Sequence, residues 1–317
     1  MTGAAQATLD GWSPEEVPDL SGRTAVVTGV TGGLGASTVA GLARRGATVV
    51  ATARDAARGR QAVDRVQALV PDADVTLAVM DLADLASVRR AGAEVVAAHP
   101  RIDIAVNNAG LMAVPRARTA DGFELQMGTN HLGHFAWTGM LWPALVAAGA
   151  RVVAVSSLAH RSTSRVSLDR LRPDDGSAPY RRWPAYAQSK LANLLWSVEL
   201  DRRVRAAGLD VTAVAAHPGL SSTELVRSGL GGRSRLLGEV MHRAFRLVSQ
   251  SAEAGSWPLV AAATAPGLPG GSYVGPGGLG ETRGNPTLVG MSAIAQDPDL
   301  ATSLWELSQQ ATRICYP

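Results

Sequence analysis

Cysteine is almost absent from this chain of 317 residues: Cys315, third from the end, is the only one. A single thiol can neither close an intramolecular disulfide nor build a thiolate metal cluster. That suits a reducing compartment, and the expected location is the cytoplasm. Lysine is as scarce, since 29 of the 30 basic residues are arginine and Lys190 stands alone. Either one lysine fell there by chance, or position 190 needs a compact ammonium that a planar guanidinium cannot replace. Aromatic residues are 4% and the formal charge is only +3. With neither a base-stacking platform nor a concentrated basic face, no nucleic-acid partner is expected. No run approaches the ~20 apolar residues of a spanning helix. Residues 1–20 also lack the basic and apolar regions of a signal peptide, so the expectation is a soluble protein without a membrane span.

What is present is ordinary for a packed domain, with 46% hydrophobic and 18% charged residues. From Thr24 onward, short β-branched runs alternate with longer amphipathic stretches, the pattern of βαβ units. The spacing predicts strands at 24–28, 48–53, 75–80, 102–106, 151–156, 211–215 and 272–274. Helices are predicted at 35–45, 58–69, 85–99, 123–147 and 185–207, with a helical tail at 298–312. The expected fold is α/β: after an N-terminal extension (1–20), a single doubly wound Rossmann-type domain spans 21–317. Its parallel sheet has about seven strands, with helices on both faces. Two stretches, 158–184 and 220–250, look inserted after strand ends, where open α/β sheets bind ligands.

The first strand runs into Thr28-Gly29-Val30-Thr31-Gly32-Gly33-Leu34-Gly35 and then a helix. Such glycines let the backbone approach a pyrophosphate seated on a helix N-terminus, although a plain strand–helix turn reads the same way. No lysine follows the last glycine, which disfavours a nucleoside-triphosphate loop. Strand two ends at Arg54-Asp55. An acidic residue there would hold the ribose 2′-hydroxyl of NAD, whereas Arg54 accommodates the 2′-phosphate of NADP. Asp55 reads as the N-cap of the next helix. Strand three ends at Asp81-Leu82, where Asp81 is either an adenine acceptor or another helix cap. Strand four ends at Asn107-Asn108-Ala109-Gly110, with amides to fix strand ends and a glycine that leaves room for a cofactor.

Tyr186 and Lys190 lie four apart in a predicted helix and therefore on one face. An ammonium beside a phenol favours the phenolate, which makes the pair a usable acid/base. Ser156 and Ser157 end a strand, where one hydroxyl could hold a substrate oxygen; turn capping is their other reading. His131, His134, His160 and His217 lack a metal-binding spacing and are expected to pack and hydrogen-bond, with no metal site. Trp137, Trp142, Trp183 and Trp196 read either as core or as the lining of an apolar pocket.

Taken in order, these pieces resemble the short-chain dehydrogenase/reductase family, in its retinol-dehydrogenase-like branch, over 21–273. The motifs are TGxxxGxG at 28–35, NNAG at 107–110, NHLGHF at 130–135, VSSLAH at 155–160, YxxxK at 186–190, and His217-Pro218-Gly219 with Thr223. The resemblance implies an oxidoreductase interconverting a carbonyl and an alcohol with NADP(H), reduction favoured. Tyr186 would exchange the proton and Ser157 orient the oxygen. Lys190 would hold the nicotinamide ribose and lower the Tyr186 pKa, and Asn130 would position a water beside Lys190. Pro218, Gly219 and Thr223 would close over the nicotinamide. The glycine turn also fits the TGxxGxxG form of the family's extended epimerase-like members, against which Asn107 to Gly110 argues. The substrate is expected to be a small, apolar carbonyl or alcohol, and a homo-oligomer is left open. A non-catalytic NADP(H) sensor and an epimerase or dehydratase are the competing readings.

Overall fold

The computed structural model describes residues 9, 11–177, 179–220 and 250–317. Eight strands form one sheet in the order β3-β2-β1-β4-β5-β6-β7-β8: β1 Thr24–Thr28, β2 Thr48–Ala53, β3 Val75–Val79, β4 Ile104–Asn107, β5 Arg151–Val155, β6 Thr212–Ala216, β7 Tyr273–Pro276 and β8 Pro286–Leu288. The first seven run parallel. The expected count of about seven is corrected by β8, which pairs antiparallel with β7, Gly275 facing Thr287. It is three residues long and enters behind a proline, too short to show an alternating pattern. The central strands are buried on both faces, as their Val- and Ala-rich runs require. Ile102 lies outside β4, which ends on Asn107.

The helices are α1 Gly33–Ala43, α2 Ala56–Leu69, α3 Leu85–Ala98, a single turn α4 Leu125–Met127, α5 Gly133–Ala148, α6 Arg182–Ala206, α7 Ala252–Thr264 and α8 Pro298–Thr312. The helix expected over 123–147 is broken. Between α4 and α5 the backbone makes a π turn over Gly128–Leu132, closed by the Gly133 N–H on the Gly128 carbonyl. Such wide turns recur at functional sites, and Asn130 sits at its centre. Helix α7 is not expected from the sequence, because Gly255 and Pro258 interrupt it and its residues are apolar all round, without a 3.6 period. It packs flush on α1, where a Cβ on Gly41 would lie 3.2 Å from Val260. The extension is no loose tail where described: Leu9, Trp12, Val17 and Leu20 are buried in the core beneath β1 and β2.

The sheet's direction of winding reverses between β1 and β4, which pair through Ala25 and Ile104. Loops from the two strands part there and leave a crevice at their carboxyl ends. The second inserted stretch lies, apart from its two ends, outside the described residues. The first forms two short 3₁₀ turns, Leu158–Ser162 and Leu168–Leu171, before α6 begins at Arg182.

Candidate active site

At the crevice a cleft of about 400 Å³ is lined by Gly29, Thr31, Gly32, Gly33, Leu34, Gly35, Arg54, Asp81, Leu82, Asn108, Ala109 and Gly110, every one a position expected there. Gly29 holds φ 85°, and a Cβ on it would sit 2.9 Å from the Ala109 Cβ. At Gly35 a Cβ would collide with the Gly29 carbonyl and approach the Asn108 Nδ2 to 2.9 Å. Gly32 caps α1 without a side-chain partner, so the helix's first N–H groups stay turned to the cleft. Asp55 caps α2 as expected, accepting from the Arg58 N–H at 2.9 Å, a bond that lowers its pKa. Asp81 is not the cap of α3. Asp84 has that task, accepting from the Ala86 and Ser87 N–H groups, and Asp81 holds only the Ala83 N–H.

Sequence reasoning missed Thr52, Met80, Leu111, Thr129 and Arg58, which share the lining. Arg58 was legible in principle, one helical turn after Arg54; Thr129 carries no motif signal. The Asn108 Oδ1 and the Thr129 Oγ1 are buried without a hydrogen-bond partner among the described residues. Buried polar atoms seldom stay unpaired. Together with a glycine cradle that side chains would fill, these orphans fit a dinucleotide.

Thr28 joins the two loops. Its Oγ1 accepts from the Asn108 and Ala109 N–H groups, each at 2.9 Å, and so donates to the His134 Nε2 at 2.9 Å. The His134 Nδ1–H then donates to the Asn130 carbonyl at 2.9 Å. Burial pushes this ring down to about 3, so it stays neutral and keeps that tautomer. All four singled-out histidines are fully buried, and each ring is hydrogen-bonded within the protein.

Beyond Gly110 the second group of residues meets. A Cβ on Gly110 would lie 3.0 Å from the Asn130 Oδ1 and 3.6 Å from the Lys190 Nζ. The Asn130 amide is fixed from both sides: Oδ1 accepts from the Leu111 N–H at 2.7 Å, and Nδ2 donates to the Ser189 Oγ at 2.9 Å. Lys190 is buried, donates to the Val155 carbonyl at 3.0 Å, and stands 5.8 Å from the centre of the Tyr186 ring. The two serines are held differently. Ser156 is tied to the Lys190 carbonyl at 2.8 Å, while Ser157 accepts from the Ala159 N–H at 3.2 Å and acts on the Tyr186 phenol, pulling its pKa down. Burial pushes the Tyr186 phenol up to about 12 against the pull of Ser157, and pushes Lys190 down to about 8. The expected lowering of the phenol is not seen in this structure, where the burial of Tyr186 itself outweighs the pull of Ser157.

Tyr186, Lys190, Pro218 and Gly219 stand outside the lining of the cleft itself, and Thr223 lies outside the described residues. Gly219, at φ 63°, is held on the His217 Nδ1 at 3.2 Å. Of the four tryptophans, Trp137 and Trp196 are core and Trp142 packs on Tyr316. Trp142 is half-buried and Trp183 is exposed, its ring centre 5.6 Å from that of Tyr186.

Comparison with known proteins now adds to this geometry. The family model described as short chain dehydrogenase matches residues 23–167. Mouse polyprenol dehydrogenase is 40% identical over 302 residues, covering 92% of this chain and 84% of that protein. The chain belongs to the short-chain dehydrogenase/reductase family. Within it the chain falls in the retinol-dehydrogenase-like branch: mouse retinol dehydrogenase 11 is 39% identical over 209 residues, 66% of this chain and 64% of that one. A crystal structure of an uncharacterized protein from Mycobacterium paratuberculosis superposes with a TM-score of 0.79 at 42% identity, covering 97% of this chain and 99% of that one. As a family member the chain is an oxidoreductase of alcohol and carbonyl groups that uses a nicotinamide cofactor.

Proposed function

We propose that this short-chain dehydrogenase/reductase is a cytoplasmic NADP(H)-dependent enzyme that reduces an apolar carbonyl, of the kind related to retinol or polyprenol, with Tyr186 as proton donor. The observation that carries it is the convergence of Tyr186, Ser157, Lys190 and Asn130 beside Gly110, at the end of the cleft. The names of the polyprenol and retinol dehydrogenases it resembles support an apolar alcohol as product. Such a substrate need not be small.

The cofactor supplies the hydride. The chain's own residues do the rest: the Gly29 to Gly35 turn and the start of α1 would seat the pyrophosphate, and Arg54, joined by Arg58, the 2′-phosphate. Asp81 and Leu82 would flank the adenine. Asn108, Ala109 and Gly110 would border the nicotinamide half, with Pro218, Gly219 and Thr223 closing over it. The Tyr186 phenol, protonated at neutral pH, donates to the developing alkoxide oxygen while Ser157 holds that atom. Lys190, predominantly charged at pH 7, would bind the ribose hydroxyls and favour the phenolate left behind. Asn130 would keep a water next to Lys190.

Tyr186→Phe tests the reading. Turnover should fall by about 10³-fold while NADPH binding, followed by fluorescence titration, is retained. Turnover that survives the substitution would remove Tyr186 from the mechanism. Equal binding of NADPH and NADH would remove the argument from Arg54.

A further inference from the structure

The charge on this chain is unevenly placed, which corrects the expectation of no concentrated basic face. Residues 158–184 hold six arginines against three aspartates, a surplus of three that equals the surplus of the entire chain. In the fold the local aspartates offset even less, because Asp174 is engaged from outside by Arg116. Arg165, Arg172, Arg181 and Arg182 are exposed and have no ion-pair partner among the described residues.

Exposed apolar side chains stand on the same insertion and on the two segments tied to it. Trp183 is 48% exposed, the only exposed one of seven tryptophans, and it leans on Tyr186. Leu279 is 96% and Leu288 42% exposed. Both are tethered to the insertion: Arg161 pairs with Glu281, two residues past Leu279, at 2.7 Å and donates to the carbonyl of Gly290, two residues past Leu288, at 2.8 Å. The remaining large exposed apolar residues, Leu69 and Val79, sit on α2 and β3 at the other end of the sheet. The face is held in shape from beneath. Gln126, fully buried, donates to the Tyr180 hydroxyl at 2.8 Å and to the Arg182 carbonyl at 3.0 Å, and Tyr180 donates to the Val114 carbonyl at 3.0 Å.

We infer that this face docks on an anionic lipid surface, with Arg165, Arg172, Arg181 and Arg182 at the head groups and Trp183 and Leu279 in the interfacial layer. Guanidinium groups and a tryptophan around an apolar rim suit that boundary, where one end of each side chain is wet and the other is not. No helix among the described residues is long and apolar enough to cross a membrane. Docked this way, Trp183 and the Tyr186 ring it leans on are turned to the bilayer, and an apolar carbonyl partitioned there reaches the phenol without crossing water. The inference rests on the apolar substrate proposed above.

Sedimentation of the full chain with vesicles tests it, using phosphatidylcholine alone and phosphatidylcholine mixed with phosphatidylglycerol. Binding to the mixed vesicles alone, falling as salt is raised, is expected. The double variant Arg172→Glu/Arg181→Glu should weaken it at least ~30-fold, with turnover of a short water-soluble aldehyde unchanged. Trp183→Phe should keep the binding but abolish quenching of tryptophan fluorescence by lipids with brominated acyl chains. Equal binding to neutral vesicles, no binding to either kind, or indifference to the charge reversals would overturn the inference. So would tighter binding to duplex DNA than to anionic vesicles, which would give the arginines to a nucleic acid. Absence of turnover in the unmutated protein would sink the oxidoreductase reading instead, and the vesicle result would still decide the docking face.

Discussion

Lys190 offers a direct measurement, because a chain with a single lysine gives a single side-chain ammonium resonance. Burial places its pKa at about 8 in the fold, against 10.5 for the free side chain. That displacement corresponds to roughly 3 kcal/mol of differential stabilisation of the neutral amine. Between pH 8 and 10.5 the unfolded chain keeps the proton that the folded chain has released. Folding stability attributable to Lys190 therefore rises with pH through this window, and the handicap is fully present below pH 8. The perturbation is Lys190→Met, which has no charge to desolvate. In urea unfolding, the stability of the native chain relative to the variant should climb by roughly 3 kcal/mol from pH 7.5 to 11. In parallel, the ¹⁵N-labelled lysine resonance should titrate near pH 8. A midpoint at the free value, or a stability difference that stays flat with pH, would refute the claim that desolvation dominates at this site.

Gly29→Ala should destabilise the fold by about 1–3 kcal/mol and abolish cofactor binding, since φ 85° and the Ala109 Cβ 2.9 Å away leave no room for a methyl group; thermal melting and titration with NADPH check both. Arg54→Ala should weaken NADPH binding by about 10- to 100-fold and leave NADH binding nearly unchanged, and equal weakening of both would mean the side chain does not meet the 2′-phosphate. Thr28→Val strips the Ala109 N–H of its acceptor and the His134 Nε2 of its donor. A loss of about 2–4 kcal/mol is expected, with Thr28→Ser restoring most of it in denaturant unfolding.

Much of this was legible beforehand because each piece is local. The glycine turn, Arg54, and the four-residue spacing of Tyr186 and Lys190 are set by backbone geometry within one turn or one strand end, and period-2 and period-3.6 patterns announce the elements that carry them. Helix α7 escaped because from Gly255 onward all its residues but Trp257 are buried, which leaves no periodicity to read, and β8 because three residues cannot show one. Thr129 escaped because its orphan hydroxyl exists only once the π turn has swung it to the cleft. Ser156 and Ser157 taken alone left the choice open, since consecutive residues on a strand end differ only in which neighbour each side chain faces; the family resemblance was what pointed to Ser157.

The sequence by itself determined the order of elements, the sheet's parallel winding and the residue types at its carboxyl edge, because these follow from local pattern and chirality. Tertiary structure alone decided the charges. The phenol of Tyr186 is pushed up to about 12 and the amine of Lys190 down to about 8 by the removal of water from both. Desolvation is a property of everything packed around a group, and no spacing along the chain encodes it. The pairing of Arg161 with Glu281, which ties the insertion to the segment carrying Leu279, is likewise a product of the closed fold, since the two residues lie 120 positions apart in the chain.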